Sequence, residues 1–187
     1  MITIFENFYE KTPYYQNIDS VLQRIKQGGK VTKPLINRIR NGEEDLKKKL
    51  PCIIFSGKFP QRLDCAMQEH SGYCILDFDK CENVILLKEE LSKFNFVYAL
   101  FISPRGNGVK AVCRIPADIK KHRDYYRGVL YQLRQFKPDT TSINESRICY
   151  DSYDPDIYIN ENAVESTKEI KEESQDNNYL SRNNMNL

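Results

Sequence analysis

The stretch YCILDFD at residues 73–79, read with FVYALFISPRGNGVKAVCRI at 96–115, decides the fold. The first segment alternates Cys74, Leu76 and Phe78 with Ile75, Asp77 and Asp79, the two-residue period of a strand. Residues 83–94 read as a helix, because Val84, Leu87, Leu91 and Phe94 fall on one stripe. Residues 96–103 and 109–115 read as strands joined by a proline- and glycine-marked loop. Residues 120–136 read as a second helix with Tyr126, Val129, Leu130 and Leu133 inward, and 147–152 as a last strand. The order strand, helix, strand, strand, helix, strand predicts an α/β (α+β) RRM- or ferredoxin-like βαββαβ sheet. Its usual strand order, 4-1-3-2, brings the end of the first strand, the loop 103–108 and the approach to the fourth strand to one end of the sheet.

Residues 1–70 are expected to form an N-terminal α/β unit. Asp19 is placed to cap a helix over 20–27 that stops at Gly28 and Gly29. A second helix over 34–40 starts at a proline, a charged helical segment covers 43–50, and Cys52–Phe55 reads as a short buried strand. The RRM-like unit is assigned to 71–160. The segment 161–187 is rich in Asn, Glu and Ser and reads as a polar disordered tail or linker.

The whole chain has 187 residues with 28 Lys and Arg against 26 Asp and Glu, a formal charge of +2 that excludes a polycation. The last 27 residues carry six acids and three bases, so the first 160 are mildly basic at +5. No apolar run approaches the roughly 20 residues of a membrane helix, and no signal-peptide pattern is visible. Six cysteines without a CxxC pair read as reduced thiols, which predicts a cytoplasmic setting and no membrane partner.

Asp77 and Asp79 leave the same face of their strand, opposite Cys74, Leu76 and Phe78. At roughly 5 Å and an effective dielectric of 20 they repel by about 3 kcal/mol, which a divalent cation relieves. Taken alone, the pair also fits a solvated strand-to-turn junction. The loop from Ser103 to Lys110 adds Gly106 and Gly108 for close backbone approach and Arg105 and Lys110 for charge, a composition suited to a polyphosphate as well as to an ordinary hairpin. Asp139, followed by Asn144 and Arg147, is the third element. An acidic metal site beside a basic phosphate cradle is the electrostatic requirement of two-metal nucleotidyl transfer. Residues 103–134 carry a net charge of +6, and Arg114, Lys120, Lys121, Arg123 and Arg127 form a candidate nucleic-acid-binding track. Cys65, His70, Cys74 and Cys81 lack the spacing of a zinc site, and His122 is expected to be exposed and without a role.

These residues resemble the motifs of the archaeo-eukaryotic primase (primase-polymerase) superfamily. Asp77-Phe78-Asp79 looks like its DxD motif, Ser103 to Lys110 like its Ser-x-x-Gly-x-Gly-x-His motif, and Asp139 with Ser146-Arg147-Ile148 like its third. LPCIIFSGKF at 50–59 and SYDPDIYIN at 152–160 are similar to the VirE N-terminal domain-like branch. The resemblance spans residues 40–160. It implies Asp77, Asp79 and Asp139 as catalytic metal ligands for Mg²⁺ or Mn²⁺. Ser103, Arg105, Gly106, Gly108 and Lys110 would be contacts to an incoming NTP or dNTP, and Arg147 a phosphate or template contact. Lys110 departs from the pattern, which has histidine there; lysine neutralises a phosphate with different geometry. The resemblance further implies a single-stranded DNA template, a replicative helicase fused or in trans, and a bacterial phage, plasmid or other mobile element as the setting. The alternative is a non-catalytic nucleic-acid-binding module with a degenerate site. A haloacid-dehalogenase-type phosphatase, suggested by the DFD, ranks lower because Lys80 follows and the topology is wrong, and a DxD sugar transferase lower still because no nucleotide-sugar domain is visible.

Overall fold

Alternation in the decisive stretch is realised as β6 (Tyr73–Phe78), whose Cys74, Leu76 and Phe78 are buried on one face and Ile75 on the other. The computed structural model describes residues 1–172. Ahead of β6 come β1 (Ile2–Phe5), β2 (Tyr14–Gln16), α1 (Ile18–Gln27), α2 (Thr32–Arg40), a 3-10 turn (Glu44–Lys49), β3 (Cys52–Ile54), β4 (Gly57–Lys58) and β5 (Glu69–His70). After it come α3 (Val84–Leu91), β7 (Val97–Ile102), β8 (Val109–Arg114), α4 (His122–Leu133), β9 (Cys149–Tyr150) and β10 (Tyr158–Ile159). No helix among the described residues is long and apolar enough to cross a membrane.

Two four-stranded sheets result, ordered β2-β1-β3-β9 and β10-β7-β8-β6. In the second, β8 pairs antiparallel with both β6 and β7, so β6 and β7 run parallel. Its helix-facing side packs Leu76, Phe78, Leu100 and Ala111 on Leu91 of α3 and Tyr126, Val129 and Leu133 of α4. Its other side packs Ile75, Phe101 and Val112 on Ile4, Ile53, Phe55 and the α1 residues Val21, Leu22 and Ile25. Each such fully buried aliphatic or aromatic side chain contributes about 1.5–3 kcal/mol. The second sheet is therefore covered on both faces, and the Asp77 face is the one that meets the N-terminal unit.

Four expectations are corrected. The segment 147–152 does not become a fourth strand beside β6. Only Cys149–Tyr150 is extended, and it pairs with β3 in the first sheet, where Cys149 enters the core between the sheets and Tyr150 packs outside it. The strand that completes the second sheet is β10, on the far edge against β7. The α1 cap is Asn17, whose side chain accepts from the Ser20 N–H, rather than Asp19. Residues 161–172 are not a solvated tail: Ala163 and Ser166 are buried, and N–H groups of Val164, Ser166 and Ile170 donate to carbonyls of Asn95, Arg114 and Asp124. This strap crosses α4 at Gly128, where a Cβ would stand 1.8 Å from the Lys168 carbonyl oxygen, so no larger residue admits it. The rest of the expected tail, 173–187, lies outside the described residues.

The fourth correction is His122, which is buried at the start of α4 with its Nδ1 2.9 Å from Nε2 of His70. The Gly72 N–H donates to His70 Nδ1, which leaves His70 Nε2 as the protonated nitrogen and His122 Nδ1 as its acceptor. Burial pushes both imidazoles down, to about 4 for His70 and about 3 for His122, so both are neutral near pH 7.

Candidate active site

β6 is an edge strand, and the chain returns to that edge at Asp139, whose N–H donates to the Asp77 carbonyl at 2.8 Å. A single backbone bond takes the place of the expected fourth strand and brings the third carboxylate to the first. Asp64 fixes the following turn: its Oδ1 accepts from the N–H and hydroxyl of Ser146 at 3.0 and 2.6 Å, which presents Arg147. Arg147 then reaches both carboxylates, 3.6 Å from Asp77 Oδ2 and 3.5 Å from Asp139 Oδ2. Its Nε is buried without a hydrogen-bond partner. These are looser contacts than the 2.7–2.9 Å typical of charge-assisted hydrogen bonds.

Asp77 and Lys110 are direct cross-strand partners, and Lys110 Nζ lies 2.5 Å from Asp77 Oδ1 with both side chains about nine-tenths buried. Burial opposes the charge on Lys110, but its neighbours outweigh burial and hold its pKa above the ordinary lysine value. The Cys149 thiol beside it is itself pushed by burial up to about 12 and is uncharged near pH 7, so the carboxylates of Asp77 and Asp79 supply the holding charge. Asp139 is half-buried. Burial works against its ionisation, yet the N–H and hydroxyl of Thr141, the Ser142 hydroxyl and Arg147 outweigh it and keep the carboxyl below its usual value.

Asp79 is exposed, one residue past the end of β6. It stands over the hairpin: a Cβ on Gly108 would lie 3.4 Å from Asp79 Oδ1, 3.2 Å from Ser103 Oγ and 2.6 Å from the Phe78 carbonyl oxygen. Gly108 is thus required by the close approach of hairpin and strand. Ser103 is buried at the hairpin base, its N–H donating to the Gly108 carbonyl. Arg105 is exposed and pairs with Glu44 at 2.6 Å.

The aspartates, the glycine hairpin and Arg147 therefore gather at one end of the second sheet, with Asp77 buried, Asp139 half-buried and Asp79 exposed. Two residues absent from the sequence reading join them. Arg40 of α2 lies beneath the loop, donating to the carbonyls of Tyr153 and Ser103 at 2.9 and 3.4 Å. Lys47 of the 3-10 turn is half-buried, and burial followed by the fields of Lys110 and Arg105 lowers its pKa. Nothing in the spacing of residues 40–47 marks them, because their partners lie over 50 residues away.

The donor set has the right chemistry for Mg²⁺ or Mn²⁺, carboxylate oxygens at a cationic, phosphate-compatible rim. No group of three His, Cys, Asp or Glu side chains is arranged to hold a metal ion among the described residues. The point between Asp77 and Asp139 is instead occupied by the Arg147 guanidinium. Arg147 holds that place through loose contacts and with an orphaned Nε, so a divalent ion bound by Asp77 and Asp139 would require Arg147 to move outward.

The expected nucleic-acid track is differently occupied. Arg114 pairs with Glu165 at 3.5 Å, Lys121 with Glu169 at 2.9 Å, and Arg127 with Glu172 and Asp124. Arg123 contacts Glu145 and Asp64, each at 2.9 Å. Three of these acids belong to the strap 161–172. Lys120 alone of the five forms no ion pair among the described residues.

No curated protein matches the sequence. Among solved structures the fold is similar to the domain titled Cyanophage S-2L primase-polymerase (PrimPol), AEP domain, at 11% identity and a TM-score of 0.47, covering 90% of this chain and 84% of that one. A family model described as "BT4734-like, N-terminal domain" matches residues 45–159. That interval contains the DxD pair, the glycine hairpin, Asp139 and Arg147. The chain belongs to the family of BT4734-like N-terminal domains.

Proposed function

We propose that this is the catalytic domain of a DNA primase-polymerase, transferring nucleotidyl groups from NTP or dNTP to a strand growing on a single-stranded template. The observation that carries it is the bond from the Asp139 N–H to the Asp77 carbonyl, which joins sequence-distant carboxylates beside a cationic hairpin. Divalent ions bound by Asp77, Asp79 and Asp139 would lower the barrier to attack by a 3′-hydroxyl and stabilise the departing pyrophosphate. The protein's own cations bind and orient the triphosphate. Arg105 exchanges its exposed Glu44 partner for phosphate at little cost, since such pairs are worth roughly 0–1 kcal/mol. Arg147, displaced from the carboxylates, and Lys47 add charge on the same side. Lys110 stays on Asp77 as its buried ion-pair partner. A replicative helicase, fused or in trans, and a phage or other mobile element complete the proposed setting.

One observation favours a second reading. Asp77 is already neutralised by Lys110 at 2.5 Å, as a non-catalytic nucleic-acid-binding module with a degenerate site would allow. Calorimetric titration of Mn²⁺ with dNTP separates the two. The catalytic reading expects saturable, metal-dependent nucleotide binding that Asp79→Asn abolishes; no nucleotide binding by wild-type protein, with salt-dependent oligo(dT) binding retained, supports the second.

A further inference from the structure

A row of side chains leads away from the carboxylates. Lys47 Nζ lies 5.0 Å from the centroid of the Tyr150 ring. Tyr150 stacks on Phe8, with centroids 6.4 Å apart and planes 29° apart. Phe8 receives Lys48 Nζ at 6.0 Å and meets Tyr9 edge-on at 5.7 Å. Three rings in contact, Tyr150, Phe8 and Tyr9, thus run to the loop between β1 and β2, with a lysine on each of the first two. None of the ion pairs among the described residues involves Lys47 or Lys48.

The row is built rather than incidental. Arg62 donates to the carbonyls of Phe8 and Glu10 at 2.6 Å and of Asn7 at 2.9 Å, and its guanidinium lies 4.2 Å from the Phe5 ring. Glu10, in the same loop, is turned back onto the N–H groups of Lys11 and Thr12. The loop is held so that Tyr9 is 69% and Phe8 38% exposed. Beside Tyr9 opens a cavity of about 530 Å³, within the size range of small-molecule sites.

We propose that single-stranded nucleic acid lies along this row, with a base stacked on Tyr9 and phosphates at Lys48 and Lys47, leading into the carboxylate site. The proposal rests on the nucleotidyl-transfer reading and supplies its template path. Phe8 is already flanked by Tyr150, Lys48 and the Arg62 guanidinium at 5.6 Å, so the ring offered to a base is Tyr9, and an exposed ring beside two lysines matches a polymer of π-faced bases on a phosphate backbone. An acidic peptide would engage the lysines and leave the rings idle. On α4 the exposed ring Tyr131 is already covered by Arg134 and Lys168 at 4.0 and 3.9 Å, and four of the five track cations already hold carboxylates.

The test is fluorescence anisotropy of labelled oligo(dT) with the full chain at several salt concentrations, without nucleotide. Tyr9→Ala is expected to weaken binding roughly five- to tenfold, and Tyr9→Phe to restore it, because one stacked base is lost and regained. Lys48→Ala is expected to lower the log–log salt slope by about 0.7. Lys121→Ala and Arg127→Ala should leave affinity and slope unchanged. Wild-type affinity in Tyr9→Ala, a loss confined to the α4 variants, or no oligo(dT) binding by wild type each overturns the proposal. The two readings fail separately: Mn²⁺–dNTP binding together with oligo(dT) binding that does not depend on Tyr9 removes the path and leaves the site, whereas Tyr9-dependent oligo(dT) binding without nucleotide binding removes the site and leaves the path.

Discussion

Two cationic regions of this molecule have similar residue content and opposite electrostatic character. On α4 and the neighbouring end of β8, Arg114, Lys121, Arg123 and Arg127 each meet a carboxylate, three of them from the strap 161–172. On the 3-10 turn, Lys47 and Lys48 meet aromatic rings instead. A count of basic residues favours the first region. Pairing reverses the ranking, because an answered cation releases few counterions when a phosphate arrives. Charge becomes a binding surface only where the fold leaves it unanswered.

The comparison is sharpest where pairing is buried. Lys110 and Asp77 are both about nine-tenths buried, so Asp77→Asn leaves a buried ammonium without its partner. Relief of repulsion between Asp77 and Asp79 would predict an unharmed fold; the ion pair predicts a loss of about 3 kcal/mol, roughly 10 °C in Tm for a chain of this size. Calorimetry checks this, and adding Lys110→Met should recover most of the loss.

A second buried pair extends the contrast to groups held without charge. His70 and His122 have folded pKa values near 4 and 3, below the unfolded value of about 6.5. The unfolded chain therefore binds protons first as pH falls, and stability present above about pH 6.5 drains away toward pH 4. Urea midpoints at pH 7.5 and 5 should differ clearly; equal midpoints would contradict the neutral pair.

The strap can be unseated directly. Gly128→Ala strengthens α4 by about 1 kcal/mol of intrinsic propensity but drives a Cβ into the Lys168 carbonyl. Faster tryptic cleavage after Lys168 and a salt slope for oligo(dT) steeper by about 0.7 per uncovered cation are expected. An unchanged slope would mean that the strap does not mask α4. The smallest effect belongs to an exposed pair: Arg123→Ala should cost under about 1 kcal/mol, measured by denaturant midpoint.

The helix and strand pattern from Tyr73 to Leu133 was legible because each element there carries its own period and its own stop. So was the grouping of Asp77, Asp79 and the glycine hairpin, which needs only a strand and its neighbour. The two-residue strands β9 and β10 were not, since their extended form is imposed by β3 and β7. Glu165, Glu169 and Glu172 read as polar tail composition until α4 supplies their partners at matching intervals. His122 looked exposed beside Lys120, Lys121 and Arg123; burial came from His70, 52 residues earlier. Lys47 and Arg40 join the site for the same reason, through contacts that no local pattern encodes.

The central claim is that the carboxylates gathered at the end of β6 serve nucleotidyl transfer. A gel extension assay with labelled single-stranded template, Mg²⁺ or Mn²⁺, and rNTPs or dNTPs, with and without primer, tests it most directly. Wild-type protein should add nucleotides only with a divalent ion, and Asp79→Asn, exposed and expected to hold its fold within about 0.5 kcal/mol, should add none. Undiminished extension by Asp79→Asn and Asp139→Asn, or none by wild type under every metal and nucleotide combination, would contradict it.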